Sequence, residues 1–207
     1  MSTLKLYRHP LSGHCHRVEL LLSILDLDYE SIDVDLMTGA QKQAEFLQKN
    51  AFGQVPVLED GNITLADSNA ILVYLASQYD PEHTWLPIES AQAAEVQRFL
   101  SVAAGPVANG PATARLINLF GAQLDHLKAI QTANNLFEIL DTRLAEQEWL
   151  VGDAPTIADL ANYGYIAHAP EGDVSLKDYP NIKLWLQRIE HYPGFVPMQA
   201  SKVGLAA

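Results

Sequence analysis

The sequence contains a single cysteine, Cys15, so no intramolecular disulfide can form and a reducing compartment is the simpler setting. It is short of positive charge: 13 Lys and Arg stand against 25 Asp and Glu, a formal charge of −12. A nucleic-acid binder normally presents a basic face, and an anionic membrane attracts one, so neither partner is expected. No apolar run reaches membrane-spanning length, and the opening MSTLKLYRHPLSG lacks the apolar stretch that directs secretion. These absences predict a cytoplasmic protein. Metal-ligand spacing is missing too. His14 and His16 point to different faces of a helix and have no acidic or cysteine partners at ligand spacing, so no metal is expected. Internal repeats and low-complexity tracts are also lacking.

What remains is the composition of a globular protein. Over 207 residues, 48% are hydrophobic and 18% charged, enough to bury a core in one large domain or two small ones. Leu4–Arg8 alternates and predicts a strand; Val18, Leu21, Leu22 and Leu25 recur at helical spacing within His14–Leu27. Tyr29–Val34 alternates again, so a parallel strand pair with a helical crossover is expected. Asp35–Gln41 reads as a loop, followed by a short helix in KQAEFLQKN. The short strands VPVL and ITLA flank EDGN, a hairpin signal, and Asp67 or Ser68 can cap a helix running to Tyr79. The prolines of DPEHTWLPIES read as a linker, and strand signals then vanish. Helices are expected over Ala91–Ala104, Leu116–Glu146, Ile157–His168 and Ile182–His191. Thr156 with Asp159 three residues on resembles a capping box. Gly105–Pro106 and Gly110–Pro111 should break or kink any helix between these. The organisation is a small α/β domain over residues 1–80, a linker over 81–88 and an all-α domain over 89–207.

The segments LKLYRHPLSGHCHRVELLL, NAFGQVPVLEDG, LADSNAILVYLA and WLVGDAPTIADLA, in that order and spacing, resemble the cytosolic glutathione S-transferases along essentially the whole chain. The resemblance implies a thioredoxin-like N-terminal domain (βαβ then ββα), an all-helical C-terminal domain, a homodimer and glutathione as co-substrate. It also implies conjugation of glutathione to hydrophobic electrophiles, as in detoxification.

Carried over residue by residue, the resemblance assigns Gln54, Val55 and Pro56 to the peptide of glutathione. In the family this proline is cis, so that Val55 can offer both backbone groups. The residues alone say only that a proline without an N–H begins an edge strand. Ser68 is assigned to the γ-glutamyl carboxylate and Asp67, where Glu is commoner, to the amine; taken alone, the pair is an ordinary helix cap. Gln41 and Lys42 stand where phi-like members place a basic pair for the glycine carboxylate, and only Lys42 keeps the charge.

The chemistry required is thiol activation. The thiolate is the nucleophile, and lowering a thiol pKa by one unit takes about 1.4 kcal/mol of preference for it. A hydroxyl donor and a helix N-terminus aimed at the sulfur can supply this. Ser12 lies between the first strand and first helix, where theta- and phi-like members carry a catalytic serine. Without the resemblance it reads as a helix cap. Tyr7, at the end of the strand, is the alternative donor. Cys15 opens a second reading, a glutathione-dependent reductase or peroxidase, because beta- and omega-like members use a cysteine in this loop; a small buried hydrophobe is its simpler role. A non-catalytic binding module is the third. Leu11, Val107 and Tyr165 are expected to line the electrophile pocket.

Overall fold

The computed structural model describes residues 4–207; residues 1–3 of the expected first domain lie outside the described residues. The chain begins with β1 (Leu4–Arg8), α1 (Gly13–Ile24) and β2 (Tyr29–Asp33). A turn of 3-10 helix at Ala40–Lys42 leads into α2 (Ala44–Lys49), and β3 (Val57–Asp60), β4 (Ile63–Ala66) and α3 (Ser68–Tyr79) follow. The strands form one mixed sheet in the order β2-β1-β3-β4. β1 runs parallel to β2, with Leu4 opposite Tyr29, and antiparallel to β3, with Leu6 opposite Leu58. The β3–β4 hairpin turns where EDGN predicted it, pairing Asp60 with Ile63.

Alternation in β1 sorts its side chains between two faces. Leu4 and Leu6 enter the main core with Val18, Leu21 and Leu22 of α1 and Ile71, Leu72 and Leu75 of α3. Tyr7 turns to the other face, against a small cluster of Val34, Phe46 and Val57. α1 ends earlier than its apolar spacing predicts. Leu25 closes the last turn, and Asp26 takes φ 52°, a left-handed conformation that Asp tolerates and that stops the helix.

The helical half contains α4 (Ser90–Val102), α5 (Thr113–Phe120), α6 (His126–Leu144), α7 (Ile157–Ala167) and α8 (Pro180–Glu190). Every residue of α7 from Ile157 to Ile166 is buried. Its start carries the capping box: Ala158 N donates to Thr156 Oγ1 at 3.2 Å, and Thr156 N donates to Asp159 Oδ2 at 2.8 Å.

One expectation fails here, and another is met in an altered form. The single helix over Leu116–Glu146 is two helices. Gly121, at φ 66°, caps α5 in the left-handed conformation, and Asp125 starts α6 by accepting from Lys128 N at 3.0 Å. The Gly-Pro pairs do interrupt the α-helix, between Val102 and Thr113, without ending the chain's helical course. Ala103–Ala112 is a π-helix that joins α4 to α5 without interruption. Pro106 and Pro111 have no N–H to place in a helical ladder, and the wider turn accommodates them. Side chains take up carbonyls there: Asn109 Nδ2 donates to Gly105 O at 2.9 Å and Thr113 Oγ1 to Ala108 O at 2.8 Å. Among the described residues, no helix is long and apolar enough to cross a membrane.

Candidate functional site

A cleft of about 980 Å³ lies between the sheet domain's loops and the helical half. Its floor is polar and comes from the N-terminal residues. Ser12, Gln41, Lys42, Gln54, Val55, Pro56, Asp67 and Ser68 all line it, although they arise from four separate segments. The facing wall is Ala108, Ala112, Leu116 and Phe120, with Arg115 and Tyr165 beside them. Leu11 also lines the cleft. Val107 does not. It is fully buried in the core, and its neighbour Ala108 takes the cleft position, because the π-turn alters which residues face outward.

The floor has two helix N-termini. At the first, Ser12 caps α1: its hydroxyl accepts from Cys15 N at 3.3 Å, and its own N–H donates to His9 O at 3.0 Å. The amide takes an acceptor site of the oxygen, which also carries the one proton that Ser12 can donate. At the second, Asp67 caps α3, and its Oδ1 accepts from both Asn69 N at 2.9 Å and Ala70 N at 3.0 Å. Asp67 does so at φ 74°, a conformation that costs energy outside glycine and is typical of functional sites. Ser68, the first residue of α3, is almost fully buried. Its hydroxyl accepts from Arg17 Nη1 at 3.2 Å and lies 3.3 Å from His14 Nδ1.

Arg17 and His14 are residues that the sequence reading left without a binding role. Arg17 is buried within α1 and also donates to Asn69 Oδ1 at 2.8 Å. Burial lowers its pKa to about 10, so it stays a cation at neutral pH. His14 packs edge-on against Tyr165, with ring centroids 5.1 Å apart. Burial, helped by the nearby Arg17 charge, lowers its pKa to about 3 and keeps it neutral. Arg17 beside Val18 on the apolar-spaced helix HRVELLL, where Glu19 is the other charge, was the signal available.

The third corner is the turn before β3. Asn50 Nδ2 donates to Gln54 O at 2.7 Å and Asn50 Oδ1 accepts from Phe52 N at 3.0 Å, shaping the chain into the cis Val55–Pro56 bond. Lys42 Nζ donates to Phe52 O at 3.0 Å at the cleft margin. Gln41 Oε1 is buried with no hydrogen-bond partner among the described residues. A chain of charge −12 thus places Lys42, Lys49 and Arg115 on the cleft, with Arg17 behind Ser68.

The alternative nucleophile and donor are placed elsewhere. Cys15 is 0% exposed and does not line the cleft; it lies directly beneath it, its Sγ accepting from His9 N at 3.4 Å beside the Ser12 hydroxyl, and burial pushes its thiol up to about 12, so it is a neutral core residue. Tyr7 lies on the far face of the sheet with its hydroxyl donating to Glu59 Oε2 at 3.1 Å. Among the described residues, no three His, Cys, Asp or Glu side chains gather where they could hold a metal ion.

A mixed four-stranded sheet with helices, joined to an all-helical half across such a cleft, defines a class before any comparison is made. The comparisons agree with it. Residues 2–77 match the glutathione S-transferase N-terminal domain and residues 112–193 the C-terminal domain. Glutathione S-transferase 3 of Zea mays is 38% identical over 94% of this chain and 92% of its own length. A glutathione S-transferase crystal structure from Pseudomonas fluorescens superposes with a TM-score of 0.90 at 33% identity, covering 95% of this chain and 99% of that one. A glutathione transferase homolog from Drosophila mojavensis, solved with bound glutathione, gives 0.85 at 30% identity, over 93% of this chain and 90% of that one. The chain belongs to the glutathione S-transferase family.

Proposed function

We propose that the protein binds glutathione along the polar floor, holds its sulfur as the thiolate beside Ser12, and transfers it to a hydrophobic electrophile. The carrying observation is the Ser12 hydroxyl, which sits at the N-terminus of α1, lines the cleft and has its acceptor side engaged by Cys15 N–H. A hydroxyl and a helix end directed at one sulfur both favour the anion. The thiol proton leaves to solvent and the thiolate forms the new carbon–sulfur bond; in a substitution the leaving group departs with the electron pair of its bond to carbon, and in an addition the resulting carbanion takes a proton from water.

The remaining contacts divide by charge. The Ser68 N–H and hydroxyl, at the start of α3, suit the γ-glutamyl carboxylate, and the second carboxylate oxygen of Asp67 suits the amine. Val55 offers its backbone to the peptide, with Gln54 beside it. Lys42, with Gln41, suits the glycine carboxylate. Residues 1–80 act as the glutathione-binding domain, 81–88 as the linker and 89–207 as the helical domain that supplies the electrophile's pocket. Leu11, Tyr165, Ala108, Ala112, Leu116 and Phe120 are its apolar lining. Detoxification in the cytoplasm fits this chemistry, with the lone Cys15 buried in the core. A homodimer belongs to the same reading. Sedimentation at micromolar concentration is expected to give a dimer, and a monomer would sink that part.

The test of the chemistry is the pKa of bound glutathione's thiol, read by ultraviolet difference spectroscopy. Wild type should depress it below the free thiol's value of about 8.5, and Ser12→Ala should return it most of the way. A depressed value unchanged by the mutation would end the Ser12 assignment.

A further inference from the structure

Arg115 reaches across the molecule. It is buried on α5, yet its Nη1 donates to Leu11 O at 2.7 Å, a contact 104 residues away in sequence. Leu11 O belongs to the peptide that joins Leu11 to Ser12. The other end of that peptide, Ser12 N, donates to His9 O at 3.0 Å. A peptide unit is a rigid plane, so pinning its oxygen and its nitrogen fixes where Ser12 Cα sits and where its side chain starts. The turn that carries the hydroxyl is therefore held from the helical half.

Arg115 is itself held. Its Nε donates to Glu171 Oε2 at 2.6 Å, deep in the fold. The other oxygen, Glu171 Oε1, accepts from His168 Nδ1 at 2.6 Å and from Ser201 N at 3.0 Å. The segment carrying Ser201 lies flat on the turn Ala169–Gly172. At Gly204, φ 58°, an added Cβ would stand 2.7 Å from Glu171 O and 2.8 Å from Pro170 O. The same segment ties to α1 through His16 Nε2 and Val196 O, 2.8 Å apart. A continuous run of contacts thus leads from the C-terminal segment through Glu171 and Arg115 to the peptide before Ser12.

We propose that Arg115 is the positioning residue for Ser12 and that the docked C-terminal segment sets its placement through Glu171. This rests on the reading of Ser12 as the thiol's donor. A guanidinium suits the task because its rigid fork serves a carboxylate and a carbonyl at once; an ammonium is a compact charge on a flexible stem and cannot hold both in that geometry. No ligand contact by Arg115 is required, and its effect is on thiol activation rather than on glutathione affinity.

Arg115→Lys keeps a cation beside Glu171, so the fold survives while the fork is lost. Gly204→Val leaves the cleft untouched and forces the C-terminal segment off the backbone beneath it. The measurements are the bound thiol's pKa, with kcat and KM for glutathione, on these variants and on Ser12→Ala, each checked by thermal melting. Arg115→Lys is expected to raise the thiol pKa by about one unit, a tenfold loss of thiolate below that pKa, with kcat falling in step and KM nearly unchanged. Gly204→Val should move both in the same direction by roughly threefold. Wild-type thiol pKa and kcat in both variants, with Ser12→Ala still raising the pKa, would overturn the proposal and leave the Ser12 reading standing. A lowered melting temperature with an unchanged thiol pKa would overturn it equally, as the sign of a merely structural ion pair. A wild-type pKa in Ser12→Ala would remove the Ser12 reading and this proposal together.

Discussion

Two carboxylates lie buried in the helical half, Asp159 at 0% exposure and Glu171 at 2%, and they are used in opposite ways. Asp159 gathers neutral donors: Leu150 N at 2.9 Å, Thr156 N at 2.8 Å, the Thr156 hydroxyl at 3.4 Å and Trp185 Nε1 at 2.9 Å. Most of these are close in sequence, and all of them knit α7 to its flanking turn and to α8. Glu171 instead meets a guanidinium, an imidazole and a main-chain N–H, and its principal partner belongs to the cleft. Burial raises the Asp159 carboxyl above its ordinary value despite its four donors. Burial also pushes Glu171 up, but His168, the Ser201 N–H and Arg115 outweigh it and leave that carboxyl below its ordinary value. A buried acid held by neutral neighbours closes a fold; one held by a charge can reach beyond its own layer into a site.

The contrast breaks most sharply at Asp159. Asp159→Ala strands three buried N–H donors and should cost about 4 kcal/mol by urea unfolding, while the folded fraction keeps the wild-type thiol pKa of bound glutathione. A shifted thiol pKa there would erase the distinction between the two acids. Glu171→Gln should cost less, about 2 kcal/mol, because the shape and one acceptor remain while the charge opposite Arg115 goes. It should nevertheless raise the thiol pKa, which the larger lesion does not. The smallest effect is in pH. Asp159, with its raised pKa, binds its proton more readily folded than unfolded, so its contribution to stability falls as pH rises through that window. Glu171, with its lowered pKa, contributes fully above the ordinary carboxylate value and loses that contribution as pH falls toward its folded value. Comparing wild type with Asp159→Asn and Glu171→Gln across the acid range, the first stability gap should move in favour of wild type on acidification and the second should close. Two gaps moving the same way would refute the contrast.

Much of this molecule was legible in local signals. Alternation gave β1 its bounds, EDGN its hairpin, and the Thr156–Asp159 spacing its capping box, because each is settled by residues within a turn of one another. The floor of the cleft was reached through the family resemblance; taken alone, its residues read only as helix caps and a proline at a strand start. The wall was not legible. The π-helix hides in a sequence whose Gly-Pro pairs read as a break, and its altered turn moves the cleft position from Val107 to Ala108. Gly121 and Asp125, an end and a start, were read through as one helix because the apolar spacing resumes on either side. Arg17 and Arg115 find their partners 51 and 104 residues away, distances over which no pattern in the chain announces a pairing.

Gly13, between Ser12 and His14, carries no chemistry. A side chain there would stand 2.8 Å from the Tyr165 ring, which is itself enclosed, so the first turn of α1 and the middle of α7 meet with no clearance. In a survey of every substitution along the chain scored by activity, this position should be as intolerant as Ser12 beside it. Ranked by loss alone, the two would look like equal members of a catalytic pair. Only their melting temperatures would part them: Gly13 variants fail because two helices can no longer touch, whereas a Ser12 variant loses only a helix cap, about 1 kcal/mol, yet stops working.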